Sequence, residues 1–335
     1  MSTHEVKVIR VQEINPHPNA DRLEIIPIWG YSACVRKGDF KVGDLAAYIE
    51  PDYNVPVAAP ATPQPEFAFL AKDEKNGFVR IKASRLRGVI SYGLLIPARP
   101  SWKEGDNVMD ELCIQRWQPA ERGWGIGADS KDEAGPAIYS VQYDMENYQK
   151  FPTVFKDGEP VIATEKINGS NARYVFTNGR LYVGSHTRWK KESDKNGWWV
   201  AAKKYKLEEK LKKYPDHVFY AELYGFVGGY RYGNKEGYLL AFYDILHKTN
   251  WLNAMDVDKV LRDVDLPMVP VVATCPWNPS FFINQAMGQS LIPGADHLRE
   301  GVVAKPMVER IDSTVGRVIF KIVNPDYLEN KKGKK

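Results

Sequence analysis

Six ionisable residues sit inside strand-like apolar runs in the second half of this sequence. They are Lys166 in ATEKINGSNARYVF, Glu222 in FYAELYG, Asp244 in LAFYDIL, Glu300 and Lys305 in LREGVVAKP, and Lys321 in RVIFKIV. One charge in a strand commonly marks an edge or an outward position. Charges on five such strands suggest a shared polar cleft. Lysines neutralise phosphate oxygens and carboxylates hold Mg2+ or its waters, so this set suits metal-assisted phosphoryl transfer. An aromatic neighbour such as Tyr243 can stack a base. Lys166 stands out because Gly169, Asn171 and Arg173 follow it closely. Desolvation disfavours a charged ammonium, and the same effect frees the amine lone pair of a nucleophile. Taken alone, the stretch also reads as a strand-end lysine that reaches water, followed by an Asn-Gly turn.

The elements that must position these residues follow from pattern and punctuation. VIATEKI, ARYVFT, RLYVGS, HVFYAELY, YLLAFYDIL, GVVAKP and RVIFKIV read as strands, interrupted by helices expected at about Trp198–Tyr214 and Ala254–Val264. In the first helix Val200, Lys204, Leu207 and Leu211 lie near one face. This is an α+β domain built on antiparallel sheet, expected over 151–330. Before it, VKVIRVQEI, LEIIPIW, LAAYIE, FVRIKA and SYGLLIP are short strands split by turn residues, which suggests a small closed barrel over 1–112 of the OB-fold type. NPHPNADRLEI, Asn15 to Ile25, resembles the opening of the tRNA-binding OB domains appended to some synthetases. Residues 54–66, rich in Pro and Ala, are expected as an extended loop, 113–150 as the connection between domains, and 331–335 as a basic tail. Within the connection, GWGIGA fits a dinucleotide glycine pattern but follows no strand, so that fold is rejected.

Composition narrows the setting. At 335 residues and 44% apolar, the chain can bury about two cores. No apolar run is long enough to span a membrane, and the charged start is no signal peptide. Cys34, Cys113 and Cys275 lie far apart and form no metal or disulfide pattern, which fits a reducing, intracellular setting. The net charge of +4 says little, but ten Lys or Arg against four acids fall between His186 and Lys213, with Trp189, Trp198, Trp199 and Tyr205 interleaved. That run reads either as a surface for a phosphate backbone and unstacked bases or as a solvated helix face. In the first domain, RIKASRLR offers Arg80, Lys82, Arg85 and Arg87 as nucleic-acid contacts, or as an exposed strand face.

In order and spelling, the charged strands resemble the covalent nucleotidyltransferases: DNA ligases, RNA ligases and capping enzymes. The correspondences are Lys166-Ile-Asn-Gly169, Ser185-His-Thr-Arg188, Glu222-Leu-Tyr-Gly225, Phe242-Tyr-Asp244, Glu300-Gly-Val-Val-Ala-Lys305 and Phe320-Lys321. EKINGSN is similar to the phage RNA ligase 2 branch and the RNA-editing ligases. A barrel placed ahead of the transferase domain resembles the Deinococcus/Naegleria-type RNA ligases. The resemblance implies an N-terminal OB-fold followed by an ATP-grasp-like, antiparallel-sheet nucleotidyltransferase domain, acting as an ATP-dependent RNA ligase with Mg2+ or Mn2+. Lys166 would carry AMP. Glu165, Ile167 and Asn171 would line the nucleotide site, and Arg188 would contact phosphate or ribose. Glu222 and Glu300 would serve nucleotide and metal, Tyr243 would stack on adenine, and Lys305 and Lys321 would neutralise phosphates. RNA ends are the implied partners of a monomer, and a nicked duplex, an RNA–DNA hybrid, a broken tRNA and single strands all stay open as their form. Three departures stand out: Asn168 replaces an acid, Lys321 lacks a second lysine two residues on, and SHTR replaces a Ser-Arg form. A DNA ligase, a capping guanylyltransferase and a non-catalytic RNA-binding protein are the rival readings.

Overall fold

A computed structural model describes residues 5–29, 31–58, 64–117, 132–227, 230–235 and 237–330. The chain divides into two compact units, Thr3–Ala120 and Glu121–Lys335.

In the first unit the strand Leu45–Ile49 pairs on both edges, with Lys7–Arg10 and Leu94–Pro97. Its alternation feeds two cores. Ala47 and Ile49 join Val8, Val55, Phe67 and Ile96 on one face, and Ala46 and Tyr48 join Ile26, Ala33 and Leu95 on the other. A hairpin of Leu23–Ile28 with Tyr31–Arg36 and a sheet of Tyr53–Pro56, Phe78–Arg80 and Gln115–Arg116 complete the β framework, with a small hairpin at Ser84–Leu86 and Val89–Ser91. The loop expected at 54–66 therefore begins as strand, because Val55 is fully buried and pairs with Val79. From Pro65 the chain turns into a 3-10 helix, Pro65–Asp73. Residues 59–63 lie outside the described residues.

The second unit is built from two sheets. The seven-stranded sheet runs, in spatial order, Asp132–Glu133, Trp189–Lys190, Arg180–Ser185, Ser170–Thr177, His217–Tyr224, Leu239–His247 and Asn250–Trp251. The five-stranded sheet runs Glu146–Asn147, Phe320–Val323, Gly301–Pro306, Pro160–Glu165 and Val271–Pro276. Every pairing in both is antiparallel except Glu146–Asn147 with Phe320–Lys321. Residues expected as a free connection thus join sheets: Gln115–Arg116 belong to the first unit, Asp132–Glu133 and Glu146–Asn147 to the second. The glycine run 123–128 and the tail 331–335 lie outside the described residues.

Each sheet has a dry outer face. Helices Gly197–Lys204, Leu207–Leu211 and Ala254–Asp263 pack on Ala172, Tyr174, Val183, Phe219, Leu223 and Phe242 of the larger sheet. Tyr148, Phe151, Phe155, Trp277 and Phe282 cover Val161, Ala163, Val302, Ala304 and Phe320 of the smaller one. The helix expected over 198–214 is broken in two, because Lys206 takes a left-handed conformation with φ of 52°. Asn196 caps the first piece by accepting from the amides of Trp198 and Trp199. No helix among the described residues is long and apolar enough to cross a membrane.

Strand alternation leaves the inner faces of the two sheets to meet each other, and the polar residues of the sequence analysis alternate onto them. A bulge sharpens this. Tyr220 pairs with Asp244 and Ala221 with Phe242, so Tyr243 is skipped in the register. The skip sends Phe242 to the helix side and turns Tyr243 and Asp244 toward the other sheet.

Phe320 anchors the outer aromatic layer of the smaller sheet and is fully buried against Phe151 and Phe155. Phe320→Ala should destabilise the second unit by about 3–5 kcal/mol, read as a shift in its denaturant midpoint.

Candidate active site

Lys166 follows directly on strand Pro160–Glu165, and its amide donates to the Gly301 carbonyl, so the lysine stays aligned with the neighbouring strand. Its Nζ lies 2.8 Å from Glu300 Oε1, the side chains being 25% and 14% exposed. Asn168 closes the arrangement. Its Nδ2 donates to Glu300 Oε2 at 3.4 Å, and its backbone amide donates to the Tyr232 hydroxyl at 2.6 Å. The amide side chain in place of an acid thus holds Glu300 rather than repelling it.

Gly169 is required by close approach. A Cβ there would run into the Leu223 carbonyl and touch Glu222 Cγ. This brings Glu222 beside the turn, where it accepts a hydrogen bond from the Gly169 amide. Burial pushes the Glu222 carboxyl up to about 8; Lys166 offsets part of that and Glu300 adds to it. Asn171, across the ladder from Glu222, donates through Nδ2 to the Tyr243 hydroxyl at 2.5 Å. Its Oδ1 is buried without a hydrogen-bond partner. Ile167 packs among Tyr224, Tyr230, Tyr232 and Tyr327, with Tyr243 alongside. Lys321 stands opposite Val303 on the inner face, since its neighbours Phe320 and Ile322 fill the outer core.

The structure therefore gathers Lys166, Ile167, Asn171, Glu222, Tyr243, Glu300 and Lys321. Three other expected nucleotide contacts are placed differently. Glu165 is buried and accepts from the Ser290 hydroxyl and the Leu291 amide, both at 2.6 Å, which fastens that loop to the lysine strand. Lys305 binds Asp244 at 3.0 Å and Glu309 at 3.1 Å, in a cluster completed by Arg317. Strand parity explains this, because Lys305 faces the bulge that turned Asp244 inward. Burial alone would raise the Asp244 carboxyl, but Arg317 and Lys305 hold it below its ordinary value. Arg188 is exposed and pairs with Asp132 at 2.8 Å, because it lies beyond the end of strand Arg180–Ser185.

The basic run divides in the same way. Trp198 and Trp199 are core residues of the helix layer, and Lys203, Lys210 and Lys213 pair with nearby acids. This is a solvated helix face with its aromatics turned inward. In the first unit Arg80 is engaged by Asp52 and lies over Trp117, whereas Lys82, Arg85 and Arg87 are exposed. His17 and Asn19 of the NPHPNADR stretch bond the carbonyls of Leu86 and Arg87, so that stretch holds the hairpin that carries Arg85 and Arg87.

Sequence reasoning missed Tyr143, Tyr232 and Arg317. Tyr143 donates to Asp244 at 2.6 Å and packs its ring against Tyr243, with centroids 4.7 Å apart. Neither tyrosine lies in a periodic stretch, so no pattern marks them. Arg317 was visible as a charge opening RVIFKIV.

Among the described residues no cluster of three or more His, Cys, Asp or Glu could hold a metal by itself. Two carboxylates beside a lysine nevertheless fit a divalent ion of the Mg2+ type, which takes one or two carboxylates and completes its shell with water and substrate phosphates. Burial holds the Glu222 carboxyl toward its neutral form, and the unpartnered Asn171 Oδ1 is short of a donor. Both would be satisfied by a bound nucleotide and metal.

Residues 159–323 match the RNA ligase family model, and residues 5–98 match an OB-fold domain model. No curated protein matches the sequence. Among solved structures, a lysine-to-alanine mutant of Naegleria gruberi RNA ligase with ATP and Mn is 23% identical with a TM-score of 0.81, covering 98% of this chain and 99% of that one. The same ligase with PPi is 24% identical with a TM-score of 0.83, covering 99% and 100%. A glutamate-to-alanine mutant with AMP and Mn is 23% identical, also with a TM-score of 0.83.

A carboxyl with a raised pKa holds its proton more tightly folded than unfolded, so its stabilising contribution fades as pH rises. Relative to Glu222→Gln, the wild-type protein should lose stability between about pH 4.5 and about pH 8, as thermal melts across that range would show.

Proposed function

From residues 159–323, which match the RNA ligase family model, and residues 5–98, which match an OB-fold domain model, we infer an ATP-dependent RNA ligase that joins a 3′-OH to a 5′-phosphate through lysyl-AMP. The observation that carries this is Lys166 Nζ held against Glu300, with Glu222, Asn171 and Tyr243 around it.

The chemistry proceeds in three displacements at phosphorus. Lys166 Nζ first gives up a proton, for which the Glu300 carboxylate at 2.8 Å is the acceptor within reach. The nitrogen lone pair attacks the α-phosphorus of ATP, the bond to the bridging oxygen breaks, and pyrophosphate leaves. An oxygen of the RNA 5′-phosphate then attacks the same phosphorus and releases Lys166, leaving an adenylylated RNA end. The 3′-hydroxyl oxygen attacks the RNA phosphorus, AMP departs, and the strand is closed. A divalent metal, which Glu222 and Glu300 would hold, supplies positive charge to the phosphate oxygens. Tyr243 would stack on adenine, its ring fixed by Asn171 and Tyr143. Lys321 would meet the phosphates, and Lys305 acts at one remove, by holding Asp244 and the bulge behind Tyr243. Lys82, Arg85 and Arg87 of the first unit are the candidate contacts to RNA backbone.

Incubation with α-labelled ATP and Mn2+ should leave acid-labile label on the wild-type chain and none on Lys166→Ala. Label from GTP instead would point to capping chemistry, and no label from either would defeat the ligase reading. Asn168→Asp would set a second carboxylate against Glu300. It should lower the melting temperature without metal and increase the stabilisation gained on adding Mn2+, both readable by melts with and without the ion.

A further inference from the structure

Arg173 is a buried cation that the chemistry above leaves unused. It lies two residues beyond Asn171 on strand Ser170–Thr177, hence on the same inner face and about 7 Å further along. It is 5% exposed, and its Nε has no hydrogen-bond partner. Its Nη1 makes one long bond, 3.3 Å, to the Ser140 hydroxyl. No carboxylate among the described residues pairs with it. Asp144, four residues beyond Ser140, lies 3.5 Å from His186 instead. Burial also pushes the Arg173 pKa down.

The surroundings are shaped to hold this side chain. Gly184 stands opposite, where a Cβ would press on Arg173 Cγ and Nε at 2.9 Å. The Trp189 ring lies 4.4 Å from the guanidinium carbon. Tyr220, its partner on the other edge, spends its hydroxyl on the backbone of Val141. An apolar side chain of similar length would fit this cradle without the desolvation penalty of a guanidinium that has no counter-ion. A charge kept at such a place is accounted for by an anion that arrives with the substrate.

We propose that Arg173 binds a phosphate group of the substrates, a role the sequence pattern had given to the outward-facing Arg188. The proposal rests on the ligase reading. Arginine suits the task because Nε and a terminal nitrogen present two parallel donors to two phosphate oxygens. The long bond to Ser140 is the contact a phosphate oxygen would replace. Two phosphates have this chemistry: those of ATP that leave as pyrophosphate, and the 5′-phosphate of RNA.

The test uses the full chain carrying Arg173→Met, with Arg173→Gln as a second variant should the first melt lower than wild type. One arm follows charging by ATP and discharge by added pyrophosphate. The other follows transfer of AMP from the charged protein to 5′-phosphorylated RNA. The expected result is an unchanged or higher melting temperature with a loss of about 10- to 100-fold confined to one arm, which also names the phosphate. Wild-type rates in both arms, or losses in both arms together, would overturn the assignment. If wild-type protein takes no label from ATP at all, the ligase reading fails and this proposal falls with it.

Discussion

The second unit depends on four charges set between its two sheets. Asp244 comes from the larger sheet, Lys305 from the smaller, and Glu309 and Arg317 from the chain that connects two strands of the smaller one. Tyr143 donates to the same carboxylate, and Arg317 lies 3.8 Å from the Trp251 ring. Two positive and two negative groups balance, so no net charge is left without water. Removing one partner of such a cluster leaves an uncompensated buried charge, worth about 3–5 kcal/mol. Apolar residues could hold the sheets as firmly. What ions add is direction, because each oxygen accepts from a named donor and the bulge at Tyr243 is held in one register.

The Lys166 end of the cleft is balanced differently. Around Lys166 two carboxylates face one ammonium, and one of them, Glu222, sits where burial favours its neutral form. Ionising both carboxylates would leave the site one positive charge short, whereas the cluster behind it is complete. On the proposed reading a nucleotide and a divalent ion would bring what is lacking, while the cluster holds the bulge that carries Tyr243.

Much of this was legible in the sequence, for physical reasons. Strand-like runs with a charge at an alternating position announce an inner polar face, and Lys166, Glu222, Glu300 and Lys321 are found there. Gly169 and Gly301 were legible as motif letters, although the clash each avoids involves a carbonyl on another strand and is invisible locally. Lys305 and Arg188 stand apart from the other expected contacts because pattern gives a residue's type but not its partner. A one-residue bulge turned Asp244 toward Lys305, and a strand end left Arg188 in solvent beside Asp132. The helix at 198–214 broke because Lys206 adopts a conformation that no propensity favours. The basic run reads equally as a stacking surface or as a solvated helix face, and the choice falls to the second because Trp198 and Trp199 lie on the apolar side of a helix.

The two glycines have a wider consequence. At Gly301, with φ of 149°, a Cβ would strike the Ile322 carbonyl, and at Gly169 it would strike the Leu223 carbonyl. Main chain therefore rests on main chain on both sides of Lys166. Contacts of that kind are blind to side-chain identity, so the spacing between Lys166 and its carboxylates is insulated from mutational drift in the surrounding core. Side chains around the cleft can therefore change widely while the main-chain separation that sets Lys166 beside Glu222 and Glu300 stays fixed.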